Sequence, residues 1–150
     1  MSKADFTHLH THSHYSLLEA VPKIPELVKR AKKEGMKALA LTDSGNLYGA
    51  IEFYKECRKE EIKPIIGVDF YVDGPTSRLI LLAENESGYK NLLKLVTASN
   101  LRGTSKKPYI DKELMEKYKD GLIAIAKEES YYKEIFGEKF FLESTLAIYD

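Results

Sequence analysis

Between Phe6 and His14 the chain reads Phe-Thr-His-Leu-His-Thr-His-Ser-His, with all four histidines of the protein at alternate positions. An alternation of two is the period of an extended strand, in which successive side chains point to opposite faces. Phe6 to His12 is therefore expected to be a strand, with the histidines gathered on one side of it. Imidazoles converging in that way suit a divalent transition metal, zinc or manganese, which prefers nitrogen and carboxylate ligands. A lone histidine at a polar strand end would carry no such message; four on one face do.

The rest of the chain alternates short apolar runs with helical patterns. Ile24, Leu27, Val28 and Ala31 form one stripe of a helix expected over Ile24 to Glu34, with Gly35 at its C-terminal cap. Lys37 to Thr42 reads as a buried strand. Asn46 is placed to cap a helix whose stripe is Leu47, Ala50, Ile51, Tyr54 and Cys57, which makes Cys57 a core residue. Further strands are expected at Ile65 to Val72, Leu79 to Ala83, Gly121 to Ala126 and Phe140 to Glu143. Helices are expected from Ser87 to Ala98, after a cap at Asp111 through Tyr118, and around Tyr131 to Phe136. Such alternation implies one α/β domain with a mainly parallel sheet.

At 150 residues the chain suits one domain, and 43% apolar residues are enough for a packed core. Lys plus Arg (23) equals Asp plus Glu (23), which removes the strongly basic signature of many nucleic-acid binders. Arg102, Lys106 and Lys107, with Tyr109 nearby, form a basic loop that could touch a phosphate backbone, although such charges are more often simply a solvated surface loop. A single cysteine excludes an intrachain disulfide and agrees with a reducing compartment. The opening Met-Ser-Lys-Ala-Asp has no apolar signal region and no segment suits a membrane, so a cytoplasmic protein is expected.

Carboxylates recur where a site would need them. Asp43 directly follows the Lys37 to Thr42 strand, Asp69 lies within Ile65 to Val72, and Glu19 is seven residues beyond His12. Loops after strand C-termini converge on one face of parallel α/β folds, so Glu19 and Asp43 can meet the histidines in space. Each alone is as readily a helix cap or turn residue.

The segment His8-Leu-His-Thr-His-Ser-His-Tyr-Ser-Leu-Leu-Glu19 resembles the opening of the PHP (polymerase and histidinol phosphatase) domain at the N-terminus of bacterial DNA polymerase III α subunits. So do Ala40-Leu-Thr-Asp-Ser-Gly-Asn-Leu-Tyr-Gly49 and Ile62-Lys-Pro-Ile-Ile-Gly-Val-Asp-Phe-Tyr-Val72. Gly88-Tyr-Lys-Asn-Leu92, Gly121-Leu-Ile-Ala124 and Phe136-Gly-Glu-Lys-Phe-Phe-Leu-Glu143 continue the match in order. The resemblance implies a distorted β/α barrel, here shortened to about six βα units within a single domain over residues 1–150. It implies a cluster of two or three metal ions in active members, serving phosphoester hydrolysis and, in some polymerases, 3′→5′ proofreading. In others the domain stabilises the polymerase or holds a separate proofreading subunit.

Carried over, the resemblance makes His10 and His12 metal ligands, with Glu19 and Asp69 at acidic ligand positions. His8, Asp43 and Arg78 are expected to support them. Departures accompany the matches. Ser44 and Arg78 stand where the family often has histidines, the stretches after Val72 and after Ala126 are short, and the late Asp-x-His pair is missing from these 150 residues. The expectation is a reduced domain that binds one ion, serves the rest of a replicative polymerase as a structural or docking module, and meets DNA only indirectly. The alternative is a metal-dependent phosphoesterase or 3′→5′ exonuclease.

Overall fold

The computed structural model describes residues 6–102 and 107–144. Six strands and five helices follow one another in the order α1 (Ile24–Lys33), β1 (Ala38–Leu41), α2 (Ala50–Lys59), β2 (Lys63–Val72), β3 (Ser77–Ala83), α3 (Glu86–Leu101), β4 (Tyr109–Ile110), α4 (Lys112–Tyr118), β5 (Leu122–Ala126), α5 (Tyr132–Phe136) and β6 (Phe140–Leu142). The strands form one sheet in the order β1-β2-β3-β5-β6, with β4 added at the end of β2. Pairings β1–β2, β2–β4 and β5–β6 are parallel, while β3 runs antiparallel to both β2 and β5. The reason is local: only Asp73 to Thr76 separate β2 from β3, too few residues for a crossover, so the pair is a hairpin and not a βα unit.

Helix α1 ends as its sequence requires. Gly35 adopts φ 80°, its N–H reaches the Lys32 carbonyl, and the Met36 N–H reaches back to Ala31. That is the paired bonding of a Schellman cap, which needs the left-handed conformation glycine tolerates. Asp111 caps α4 through a hydrogen bond from the Leu114 N–H. Asn46 does not cap α2, whose N-cap is Gly49. Instead the Asn46 side chain donates to the Tyr15 and Ser44 carbonyls and accepts from the Tyr48 N–H, bracing the turn before the helix.

Alternation along the strands divides the sheet into two faces. Val68, Phe70, Val72, Leu79, Leu81, Leu122 and Ala124 pack beneath α3, α4 and α5, while Leu39 and Leu41 pack beneath α1 and α2 together with Phe53 and Cys57. Burial pushes the Cys57 thiol up to about 12, consistent with a core side chain and no nucleophile. The opposite face carries Ile80, Leu82 and Ile125, and, nearer one end, Asp69 and Arg78. The site is built on this face.

The Gly-Tyr-x-Asn-Leu block has a physical reason. A Cβ on Gly88 would lie 1.9 Å from the Gly121 carbonyl oxygen, because the first turn of α3 sits against the turn entering β5. Asn91 then donates to the Asp120 carbonyl at 2.9 Å. The contact is backbone against backbone and cannot yield by a rotamer change. Gly88→Ala is expected to cost about 3 kcal/mol, the upper part of the overpacking range, read as a lowered midpoint in urea unfolding.

Candidate metal centre

The histidine segment is not a regular strand. It runs beside β1, and the Ala40 N–H donates to the His8 carbonyl while the Thr42 N–H donates to the Thr11 carbonyl. Two residues along β1 thus match three along the segment, so strict alternation is broken between His8 and Thr11. The expectation of four histidines on one face is corrected accordingly. The His8 ring stands edge-on to Phe6, 4.7 Å away, lining a neighbouring apolar groove and not the site. His14 packs on Tyr15 at 4.2 Å. Only His10 and His12 converge.

They converge on Asp69. His10 Nε2 lies 3.1 Å and His12 Nε2 3.0 Å from the same oxygen, Asp69 Oδ2. These three ligand atoms lie within 4.8 Å of one another, a spacing that one metal ion can bridge. Arg78 claims the same carboxylate from the other side: its Nε donates to Oδ1 at 3.0 Å and its terminal nitrogen to Oδ2 at 2.7 Å. The hairpin register explains the meeting. Tyr71 is paired directly with Arg78 and Asp69 with Ile80, so Arg78 is the diagonal neighbour of Asp69 on one face. The guanidinium carbon also lies 4.2 Å from the centre of the Tyr71 ring.

Glu19 stands one step further out, its Oε2 3.6 Å from His12 Nδ1 and 3.7 Å from Arg78. Ser44 accepts a 3.0 Å bond from Arg78. Its place is set by backbone bonds between the Asp43–Gly45 turn and Asp69. Asp43, 2% exposed, touches neither His10 nor His12. Its two oxygens accept from the Ser13 N–H, the Ser13 hydroxyl and the Ser16 hydroxyl at 2.7–2.8 Å, tying down the loop that leaves the histidines.

One participant was not foreseen. Glu143 Oε1 lies 3.1 Å from His10 Nδ1. Its one local signal was its place directly after β6, which by itself names no partner. The basic loop is engaged within the molecule: Arg102 pairs with Asp111, and Lys107 donates to the Tyr71 hydroxyl at 2.9 Å. Lys106 lies outside the described residues.

The electrostatics follow from burial and pairing. Burial opposes ionisation of Asp69, but hydrogen bonds from His10, His12 and Arg78 overcome it and hold the carboxyl well below its usual range. The hydrogen bond to Asp69 raises the His10 pKa against its burial, with help from Glu143. Desolvation works against the Arg78 charge, yet the bonds and charge of Asp69 outweigh it and strengthen its hold on the proton. These groups line a cavity of about 530 Å³, whose rim is Thr76, Ser77, Lys127 and Glu128.

Residues 8–140 match the family model described as PHP domain. DNA polymerase III subunit alpha of Borreliella burgdorferi is 44% identical over 175 aligned positions, covering 94% of this chain and 15% of that protein. The Aquifex aeolicus DNA polymerase III subunit alpha is 40% identical over 95% of this chain and 16% of its own length. This chain therefore spans about one sixth of these relatives. An alignment of 175 positions is longer than the 150 residues here, so the relative carries segments without a counterpart in this chain. Among solved structures, an amidohydrolase from Chromobacterium violaceum has a TM-score of 0.48 at 19% identity, covering 63% of this chain and 32% of its own. With a match from His8 to Phe140 and relatives at this level of identity along nearly the whole chain, the protein belongs to the PHP domain family, homologous to a region of DNA polymerase III alpha subunits.

Proposed function

We propose that residues 1–150 form a single reduced PHP domain of a bacterial replicative polymerase α subunit, acting as a structural and docking module with one residual divalent-metal site. Its partners are the remainder of the polymerase and a proofreading exonuclease subunit, with DNA reached only through them. The cytoplasm is the compartment that suits such a role. Among the described residues no helix is long and apolar enough to cross a membrane.

The observation that carries this reading is the guanidinium of Arg78 on both oxygens of Asp69. Two imidazoles and a carboxylate fit one zinc or manganese ion, held by His10, His12 and Asp69 with Glu19 or Glu143 close by. A bound ion there would supply Lewis-acid polarisation of a phosphoryl oxygen. Hydrolysis by paired ions needs a second one about 4 Å from the first. That neighbourhood holds a fixed positive charge, which repels a cation and offers no lone pair.

The isolated chain, incubated with single-stranded DNA and zinc or manganese, is expected to release no nucleotide above a metal-free control. Robust metal-dependent digestion that disappears in His12→Ala would favour the exonuclease alternative.

A further inference from the structure

We infer that Arg78 is a built-in competitor of the metal ion, exchanging its terminal nitrogen between Asp69 and Glu19 as the ion leaves and enters. The inference rests on the reading of His10, His12 and Asp69 as one ion's ligands and adds how occupancy of that site is controlled.

The geometry defines the two positions. The terminal nitrogen of Arg78 lies 2.7 Å from Asp69 Oδ2, the oxygen on which both imidazoles converge. An ion bound to the imidazoles and to that oxygen requires the guanidinium nitrogen to withdraw. Glu19 Oε2 waits 3.7 Å from the same nitrogen, so a shift of about 1 Å brings it to ordinary hydrogen-bond distance. Meanwhile Nε can keep its 3.0 Å bond to Asp69 Oδ1, the oxygen that the imidazoles do not share.

Two further contacts make the shift small and guided. The Tyr71 ring lies 4.2 Å from the guanidinium carbon, and a flat aromatic face tolerates lateral movement of a cation over it. The Tyr71 hydroxyl is 3.4 Å from Glu19 Oε1, which keeps that carboxylate beside the ring. Charge balance runs the same way. Asp69, Glu19 and Glu143 supply three negative charges against the one positive charge of Arg78, and a divalent ion balances the remainder without expelling the arginine from the cavity.

Reciprocity makes this measurable, because whatever stabilises the arginine on Asp69 must weaken the ion by the same factor. Zinc titration by calorimetry is the test, on wild type, Arg78→Gln, Arg78→Lys, Glu19→Gln and the Glu19→Gln/Arg78→Gln double variant, each checked for folding by circular dichroism. Arg78→Gln is expected to bind zinc at least tenfold more tightly than wild type. Arg78→Lys, which keeps the charge and the fold, is expected to stay within about threefold of wild type. Glu19→Gln should weaken zinc severalfold in wild type and much less in the Arg78→Gln background, because Glu19 acts through the arginine. Arg78→Gln binding no tighter than wild type, or Arg78→Lys binding as tightly as a charge-free side chain allows, overturns the exchange. So does a Glu19→Gln loss of equal size in both backgrounds, which would make Glu19 a direct ligand. Absence of zinc binding in every form, including Arg78→Gln, overturns the metal site itself and with it the exchange.

Discussion

Asp43→Ala is expected to lose about 4 kcal/mol of stability, the largest effect of any single change near the site. Asp43 is buried after β1, and three donors from Ser13 and Ser16 end on its two oxygens. Ser13 and Ser16 are themselves buried, so their donors would be left without water or partner, at roughly 1–3 kcal/mol each. The consequences extend beyond stability. The loop held by Asp43 joins the histidines to Glu19, and the Ser16 hydroxyl also accepts from the Ser44 N–H beside Asp69. Asp43→Ala should therefore lower both the urea midpoint and the zinc affinity. Loss of zinc binding with unchanged stability would make Asp43 a ligand and contradict its role as a staple.

Arg78→Ala is expected to cost about 3 kcal/mol in metal-free protein, because it strips a charge partner from a carboxylate whose side chain is 3% exposed. The two histidines remain on Oδ2, which keeps the cost at the lower end of the range for a broken buried pair. Zinc should restore part of the loss by replacing the missing positive charge. The pH dependence has two limbs of opposite sign. Asp69 has a depressed pKa when folded, so its contribution is present above its ordinary value of 3.8 and fades as pH falls through the lower folded value. His10 has a raised pKa, so its contribution is full below 6.5 and is lost as pH rises through the folded value. Chemical unfolding from pH 3 to 9 should show the cluster contributing most between these two ordinary values, and Asp69→Asn should flatten both limbs. An Arg78→Ala protein as stable as wild type at every pH would show that the arginine merely faces solvent.

Much of this arrangement is legible in the sequence. Apolar spacing placed α1 and α3 within a few residues, and the caps at Gly35 and Asp111 marked the end of α1 and the start of α4. The α2 helix was legible but neither its start nor its full buried face was: Ala50 and Cys57 are buried as expected, together with Phe53, whereas Ile51 and Tyr54 face solvent. Asn46 carries the chemistry of a cap, but the backbone at Ser44 and Tyr15 offered that side chain better partners than the helix N-terminus did. Two residues of β4 escaped notice because Tyr109 and Ile110 show no alternation; they join the sheet only by pairing with Tyr71 and Val72.

At the site, the grouping of His10, His12 and Asp69 followed from the resemblance to PHP domains, since spacing alone set all four histidines on one face. The exclusion of His8 did not, since an offset against β1 depends on long-range backbone bonds that no local pattern records. Arg78 was conspicuous as a departure from the family pattern the sequence resembles, while its partner became evident only through the hairpin register that sets it diagonal to Asp69. Glu143 was hidden by distance: it is 133 residues from His10, and β6 brings it there by pairing with β5.

With the Arg78 guanidinium on both oxygens of Asp69, the site is expected to hold one ion. The most direct measurement of that occupancy is the metal content of the protein after dialysis against excess zinc, set beside His10→Ala/His12→Ala and Arg78→His. Wild type should carry about one ion per chain, the double variant none, and Arg78→His, in which an imidazole replaces the charge, more than wild type. Two or three ions bound by wild type, or uptake unaffected by loss of both histidines, would contradict it.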